Sequence, residues 1–300
     1  MNITPAIGFI GFGEAAYHLA RGLREAGIKT ISAYDIHQDM PGRSGLIRQR
    51  AEETATHLEA SNASLASISD IIFSTVTANQ ASAAADQTAP HLQTRHLYAD
   101  LNSVSPGLKK SIAAKINSRG ARFVEVAVMA PVPPYGHSVP MLTGGLAAAE
   151  FAERLAPFGM QIEVGVAEVG TAAATKMCRS IMIKGIEALI TECVMTATHY
   201  GVDEDVLASL SKTFPGTDWQ KVASYLVSRV TVHGERRARE MDEAVVTVKE
   251  AGVAPIMTAA TVQLMDWSAN LGLREVFGGK GPADYREFAA TLAAMQKTPH

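Results

Sequence analysis

The sequence predicts a doubly wound α/β sheet followed by an all-α domain. Strand-like runs alternate with helical segments through the first half of the chain, whereas from about Glu168 apolar residues recur at helical spacing almost to the end. The boundary is therefore expected near residue 165, with an α/β domain over 1–165 and a helical domain over 166–300. A chain of 300 residues is long enough for two domains of ordinary size.

The first half opens with a strand that leads into a glycine turn and a helix. The strand covers residues 6–10, and the helix begins at Glu14 and is closed by Gly27. A second strand follows at 30–34, and a helix is expected over 47–60. Further strands are predicted at residues 71–76, 96–101, 122–128, 139–143 and 161–164.

The second half predicts helices separated by short turns. Pro215-Gly216 is typical of a turn, and Thr217 with Gln220 resembles a capping box that opens the next helix. The helices are expected over 171–199, 203–210, 217–234, 235–251, 256–271 and 284–295.

The glycine turn after the first strand has the spacing of a dinucleotide site. Gly11-x-Gly13-x-x-Ala16 fits the G-x-G-x-x-G/A fingerprint, and its strand–turn–helix context is that of a Rossmann-type fold. Gly11 permits the tight turn, Gly13 lets the backbone approach a pyrophosphate, and Ala16 keeps the helix close to the sheet. The helix beginning at Glu14 would direct its free N–H groups at the phosphates.

An acidic residue ends the second strand. Asp35 lies 24 residues after Gly11, near the spacing expected for a carboxylate that hydrogen-bonds the ribose 2′-hydroxyl of NAD. No arginine adjoins it, and its charge would repel a 2′-phosphate, so NAD is favoured. NADP stays open because His37 and Arg43 lie nearby in the sequence.

The composition argues against a nucleic-acid-binding or membrane protein and indicates a cellular compartment. A formal net charge of -3 argues against a nucleic-acid-binding surface. The two cysteines, Cys178 and Cys193, form neither a disulfide framework nor a metal site, so a reducing compartment is expected. The chain start lacks a basic segment, and no apolar run is long enough for a membrane span. We therefore expect a cytoplasmic protein without a membrane partner.

Four short motifs together resemble the β-hydroxyacid dehydrogenase and 6-phosphogluconate dehydrogenase superfamily. They occupy residues 8–13, 100–106, 141–145 and 170–176, so the resemblance covers most of the chain. It implies an NAD(P)-dependent oxidoreductase that forms a homodimer through its helical domain. The helical half is more similar to phosphogluconate-dehydrogenase-like proteins than to the best-studied members.

The loop at residues 100–106 resembles the family's D-x-S-T-x-S-P segment, which touches both nicotinamide and substrate. Asn102 replaces the first serine of that pattern, and Ser103 follows it. The family's glycine pair in D-A-P-V-x-G-G is absent, because Ala130 and Pro131 stand there. Proline has no amide proton to donate, so Met129 and this loop are expected to shape a more apolar pocket. Independently of any ligand, Ser105-Pro106 is also typical of a helix cap.

Lys176 is the predicted catalytic residue. The resemblance places it at the lysine of the family's G-x-G-x-x-x-K motif, with Ala172 instead of the second glycine. Hydride transfer from an alcohol requires a group that accepts the hydroxyl proton, and a partly buried lysine with a lowered pKa can do so in either direction. Ile183 occupies the position of the glutamate used by oxidative decarboxylases of the 6-phosphogluconate type, which argues against that chemistry.

Other candidates surround Lys176 or follow from the resemblance. Ser180 lies one turn beyond Lys176 on the same helix face, with Arg179 beside it. Two positions are open for the Lys184 side chain, which either reaches the same pocket or faces solvent or a second subunit. The residues expected to bind substrate are Asn102, Ser103, Met129, Arg179, Ser180, Lys184 and Arg237. Those expected to bind the cofactor are Gly11, Phe12, Gly13, Glu14, Ala15, Asp35, Val76, Thr77, Asn102 and Arg239. No metal site is predicted.

These features predict a nicotinamide-dependent dehydrogenase or reductase of a small anionic 3-hydroxy acid or 3-oxo acid. Two alternatives stay open. One is an imine reductase, although such enzymes generally lack a lysine at the position of Lys176. The other is an NAD(P)-binding sensor or scaffold without catalysis. For the charge cluster at residues 233–240, a solvated helix face with Arg236 paired to Glu240 is an alternative to substrate binding.

Overall fold

The computed structural model describes residues 4–297, so the chain start over residues 1–3 lies outside the described part. The chain divides into two compact units between Lys176 and Met177, eleven residues after the predicted boundary at 165. The difference arises because the first turns of a long helix are hydrogen-bonded to the sheet through Glu125. The assignment of one part to cofactor binding and of the other to substrate binding and dimerisation stays a prediction.

The first unit is built on one eight-stranded sheet. Its strands are β1 Ile7–Ile10, β2 Ile31–Tyr34, β3 His57–Leu58, β4 Ile71–Ser74, β5 Leu97–Asp100, β6 Arg122–Val128, β7 Met141–Gly144 and β8 Ile162–Val164. The helices of this unit are α1 Glu14–Glu25, α2 Ser44–Glu53, α3 Asn62–Ile68, α4 Ala81–Thr88, α5 Pro106–Asn117, α6 Val132–Tyr135, α7 Ala148–Leu155 and the start of α8 Thr171–Tyr200.

The strand order β3-β2-β1-β4-β5-β6-β7-β8 confirms the predicted Rossmann-type, doubly wound sheet. Neighbouring strands run parallel except β6 and β7, which pair antiparallel. Only the single-turn helix α6 and a short 3₁₀ turn connect β6 to β7. Because a connection of this kind contains no full helix to cross back over the sheet, the chain reverses beside β6.

Apolar side chains cover both faces of this sheet. On one face Phe9 stacks on Phe73 with ring centroids 5.3 Å apart, and Phe151 of α7 meets Phe73 edge-on. On the other face Tyr98 stacks on Phe123 above the small residues of α4 and α5. These two apolar layers hold the strand ends in place, so the loops at the carboxyl edge are carried on a rigid base.

The second unit is helical, as predicted. After the main length of α8 it comprises α9 Asp203–Thr213, α10 Trp219–Glu250, α11 Ile256–Asn270, α12 Leu273–Val276 and α13 Tyr285–Lys297. Its apolar core includes Val194, Leu207, Val227 and Phe288. None of the helices in residues 4–297 is both long enough and apolar enough to cross a bilayer.

Two element predictions were wrong in detail, namely the end of the helix after β2 and the cap of α10. The helix predicted over 47–60 is α2, which ends at Glu53 and leaves room for β3. The two helices expected to meet at residues 234 and 235 are the two parts of α10, which join at a kink with non-helical backbone at His233. There the Ser268 hydroxyl of α11 donates to the Val230 carbonyl at 3.2 Å. The cap of α10 is Asp218, which accepts from the Lys221 amide, rather than Thr217.

Candidate functional site

The predicted dinucleotide turn has the backbone that its glycines require. Gly11 adopts φ +80°, and a Cβ there would lie 2.9 Å from the Val76 side chain. The Thr75 hydroxyl donates to the Gly11 carbonyl at 2.8 Å and so holds the turn against β4. A Cβ built on Gly13 meets no atom within 4 Å, which leaves the N-terminus of α1 open. Since Gly13 is the N-cap and has no side chain to accept from the first amides of α1, an anion fits here.

Asp35 lies at the end of β2 beside this turn. Its carboxylate accepts the Phe12 amide and the His37 amide, each at 2.8 Å. Two backbone donors therefore fix the carboxylate at the edge where the fingerprint places a ribose. The Arg43 guanidinium lies 3.0 Å from the imidazole of His37, which follows Asp35 by two residues. The turn thus presents an acid suited to a 2′-hydroxyl.

Asn102 follows β5 in the loop that resembles the nicotinamide-contacting segment. Its side-chain amide donates to the Ser74 hydroxyl at 2.9 Å, and its backbone amide donates to Asp100. Asn102 Oδ1 is buried and has no hydrogen-bond partner among the described residues. A buried unpaired acceptor is costly, so this oxygen is suited to receive a donor from a bound ligand. Ser105 accepts from the Leu108 amide, so the helix-cap interpretation of Ser105-Pro106 also holds.

The floor of this loop is a buried ion pair that the sequence did not reveal. Lys109 Nζ lies 3.3 Å from the Asp100 carboxylate and donates to the Asp100 carbonyl at 2.7 Å. Lys109 is 1% exposed and Asp100 is fully buried. Because a buried charge requires a partner, this pair fixes the loop's starting point.

Lys176 lies in the second turn of α8 and is half-buried. The start of α8 is held by Glu125 of β6, which accepts the amides of Gly170 and Ala173, each at 2.7 Å. Sequence reasoning missed Glu125, although an acidic residue inside an apolar strand was the available signal. In the loop after β6, Met129 is half-buried, and its backbone amide donates to the Pro140 carbonyl.

Further along α8, three predicted residues belong to the helical unit. Arg179 is exposed, and Ser180 accepts a hydrogen bond from Lys184 Nζ at 3.2 Å. Lys184 is buried, and its Nζ lies 3.1 Å from Glu240. Burial lowers the pKa of Lys184, while Glu240 opposes that shift. Lys184 and Ser180 therefore form a polar cluster with Glu240, and their role in substrate binding stays a prediction.

Arg237 and Arg239 take opposite positions on α10. Arg237 is buried and grips Glu187 of α8 with two donors, Nε at 2.7 Å and one terminal nitrogen. Arg239 is exposed and pairs with Asp242 and Asp266. The Arg236–Glu240 hydrogen bond of 2.9 Å matches the solvated-face alternative for this segment. Substrate binding by Arg237 would require its pair with Glu187 to open, so this role also stays a prediction.

A pH prediction follows from the burial of Lys184. Its pKa in the folded protein lies below its ordinary value of 10.5, so between these two values the unfolded chain binds more protons. The free energy of unfolding attributable to Lys184 therefore rises as pH rises through that window and is constant below it. In urea titrations from neutral pH toward 10.5, the wild-type protein should gain stability relative to Lys184→Met. The exposed Lys221→Met variant is the control, and equal curves for wild type and Lys184→Met would contradict the prediction.

Comparison with known proteins gives two family matches. Residues 6–156 match the model of the NAD binding domain of 6-phosphogluconate dehydrogenase. Residues 197–268 match a domain of unknown function, DUF1932. The first match covers strands β1 to β7 and helix α7, including the glycine turn and the loop of Asn102.

Individual proteins are similar over longer stretches. A conserved hypothetical protein from Sinorhizobium meliloti is 40% identical, with 97% of each chain covered and a TM-score of 0.81. The mitochondrial 3-hydroxyisobutyrate dehydrogenase of Drosophila melanogaster is 30% identical over 71% of this chain and 64% of its own length. A reductive aminase from Aspergillus terreus, 15% identical with a TM-score of 0.56, covers 96% of this chain and all of its own, and shares the fold alone.

Proposed function

The chain belongs to the family of the NAD-binding domain of 6-phosphogluconate dehydrogenase, and we propose that it is an NAD(P)-dependent dehydrogenase or reductase of 3-hydroxy acids and 3-oxo acids. The observation that carries this proposal is the joint presence of the open glycine turn, Asp35 and Lys176 in the sheet-bearing unit. The similarity to a 3-hydroxyisobutyrate dehydrogenase supports the substrate class.

The residues present fit a nicotinamide dinucleotide. The pyrophosphate would lie at the N-terminus of α1, where Gly13 leaves open space. Asp35 would accept from the adenosine ribose, and Asn102 Oδ1 would accept a donor that no described residue supplies. Glu14, Ala15, Val76, Thr77 and Arg239 remain the other proposed cofactor contacts.

Lys176 supplies the acid–base step of the proposed reaction. A nicotinamide bound here would supply the acceptor for the hydride that leaves the carbon bearing the hydroxyl group. The neutral amine of Lys176 takes the hydroxyl proton, so the alcohol becomes a carbonyl group and the amine an ammonium ion. In the reverse direction the ammonium ion returns that proton to the developing alkoxide. Asn102 and Ser103 are proposed to orient the substrate's polar groups in the same loop.

We propose NAD as the preferred cofactor, and Asp35→Asn tests this. The variant loses a charged acceptor, and hydrogen bonds to charged groups contribute about 1.5–3 kcal/mol, so NAD should bind about 10-fold or more weakly. Binding of NADP should be unchanged or stronger, because the repulsion of its 2′-phosphate is removed. Calorimetric titration of both cofactors measures the two affinities. Asp39→Asn, an exposed acid nearby that pairs with Arg48, should change neither, and an equal loss in both variants would contradict the assignment.

The activity itself is tested by turnover on a broad panel. Short 3-hydroxy acids with NAD or NADP, and 3-oxo acids with NADH or NADPH, should show cofactor-linked absorbance changes. Cyclic imines, and ketones mixed with amines, form the second arm, because a reductive aminase shares the fold. Turnover of imines alone would favour the imine-reductase alternative. Cofactor binding without turnover of any substrate would favour a sensor or scaffold and overturn the proposal.

We also propose a homodimer formed through the helical unit. On α8 the apolar side chains of Met182, Ile183, Ile186 and Leu189 are exposed, and their spacing places them along one side of the helix. Met182 is 62% and Leu189 is 56% exposed, which is unusual for large apolar residues aligned on one helix face. Sedimentation should show a dimer at micromolar concentration for the wild type and a monomer for Ile186→Asp. A wild-type monomer would contradict this proposal.

A further inference from the structure

Glu125 is a fully buried carboxylate that the proposed chemistry does not use. It lies on β6, directly opposite Asp100 of β5 on one side and Gly144 of β7 on the other. Its Oε2 accepts the Gly170 amide and its Oε1 the Ala173 amide, each at 2.7 Å. Both oxygens are therefore occupied by short, charge-assisted hydrogen bonds from the start of α8.

These two amides are among those that a helix leaves unpaired at its N-terminus. The Gly170 carbonyl accepts the first intrahelical bond of α8 from the Ala174 amide at 2.9 Å, which makes Gly170 the N-cap. A carboxylate at this end is further stabilised by the helix dipole. An N-cap contact usually comes from a neighbouring residue, whereas here it comes from a strand 45 residues away. Glu125 therefore ties the start of α8 to β6.

A glycine on β7 provides the space that this contact needs. A Cβ on Gly144 would lie 2.8 Å from Glu125 Oε2. At the other end of the contact Gly170 has φ +103°, a conformation that favours glycine, and a Cβ there would lie 2.9 Å from the Lys110 side chain rather than against Glu125. The contact is consequently sensitive to a single methyl group added at Gly144.

We propose that Glu125 is a positioning residue for Lys176. Lys176 follows Ala173 by three residues, less than one helical turn, so the amide held by Glu125 is part of the backbone that carries the catalytic lysine. Because a helix turn is rigid, fixing Gly170 and Ala173 against β6 fixes the Cα of Lys176 relative to the carboxyl edge of β5 and β6. This inference rests on the proposed function of Lys176 as acid and base.

Two variants remove the contact in different ways. Glu125→Gln keeps the shape but replaces one acceptor oxygen with a donor that faces an amide. Gly144→Ala keeps the carboxylate but displaces it. The control is Glu168→Gln, which removes an exposed carboxylate just before α8 that pairs with Lys110 at 3.0 Å. All three are measured alongside the wild type by hydrogen exchange, steady-state kinetics and cofactor titration.

In the two test variants, the amides of Gly170 and Ala173 should exchange at least tenfold faster, and kcat should fall at least tenfold. The KM for the cofactor should stay within twofold, because the glycine turn and Asp35 are untouched. The pH profile of kcat should also shift, which a purely structural anchor would not cause. Glu168→Gln should behave as the wild type in every measurement.

The outcomes separate this inference from the proposed function. If the wild type turns over hydroxy acids while both test variants keep kcat within twofold, Glu125 does not position Lys176. Unchanged exchange at Gly170 and Ala173, or an equal fall of kcat in Glu168→Gln, overturns the inference as well. If the wild type turns over no substrate, the proposed function fails, and the role of Glu125 in catalysis fails with it.

Discussion

Lys176→Met is expected to lower kcat about 10²–10⁴-fold while leaving the affinity for the nicotinamide cofactor within twofold of the wild type. The variant removes the only group proposed to exchange a proton with the substrate hydroxyl. The open glycine turn and Asp35, which are proposed to bind the cofactor, lie on β1, α1 and β2 and do not depend on this side chain. Steady-state kinetics combined with cofactor titration separate the two effects.

The matched control for this experiment is Lys110→Met. Lys110 is an exposed lysine that pairs with Glu168 close to the start of α8, so it matches the charge change without touching the proposed chemistry. Its kcat should stay within twofold of the wild type. A Lys176→Met variant that keeps more than a tenth of the wild-type kcat would remove Lys176 from the mechanism.

Arg237→Met should lower the free energy of unfolding by about 3–5 kcal/mol, the largest stability change that we expect from a single substitution in this chain. The variant leaves Glu187 buried without its bidentate partner. Arg229 Nε lies 3.7 Å from Glu187 and replaces that partner only in part. Because whole domains are stable by only about 5–15 kcal/mol, urea denaturation will resolve a loss of this size.

Two further variants decide what Arg237 does. Glu187→Leu combined with Arg237→Met should recover most of the lost stability, because a buried ion pair replaced by apolar residues is often neutral. Arg236→Met, which removes only an exposed pair with Glu240, should change stability by less than about 1 kcal/mol. If the double variant is stable but its KM for the acid substrate rises at least tenfold, Arg237 binds substrate as the sequence suggested. An unchanged KM would leave it a purely structural role.

The parts of the site that were predictable share a local cause. The turn of Gly11 and Gly13 depends on backbone conformation and on the absence of side chains, and both are properties of consecutive residues. The position of Asp35 beside this turn was predictable because the βαβ unit fixes its distance along the chain from Gly11, and its role in cofactor binding stays a prediction. The Ser105-Pro106 cap is likewise a short-range pattern. Each of these features lies within a segment whose geometry is set by its own residues.

The parts that were not predictable depend on partners far apart in the sequence. Glu125 meets Gly170 and Ala173 across more than forty residues, and Arg237 meets Glu187 across fifty. No local pattern records such a pair, because the same buried carboxylate accepts amides or a guanidinium equally well. The reversal of β7 is a similar case, since a short connection permits it but does not require it.

The sequence by itself determined the Rossmann-type sheet, the helical half and the dinucleotide turn, because strand alternation, helical spacing and glycine chemistry act over a few residues. Only the tertiary structure decided which charges are buried and what each is paired with. An unpaired buried charge is strongly destabilising. Each of three buried carboxylates therefore has a partner from another part of the fold: Lys109 for Asp100, the Gly170 amide for Glu125 and Arg237 for Glu187. Those pairings are what hold the loop of Asn102 and the helix of Lys176 in place.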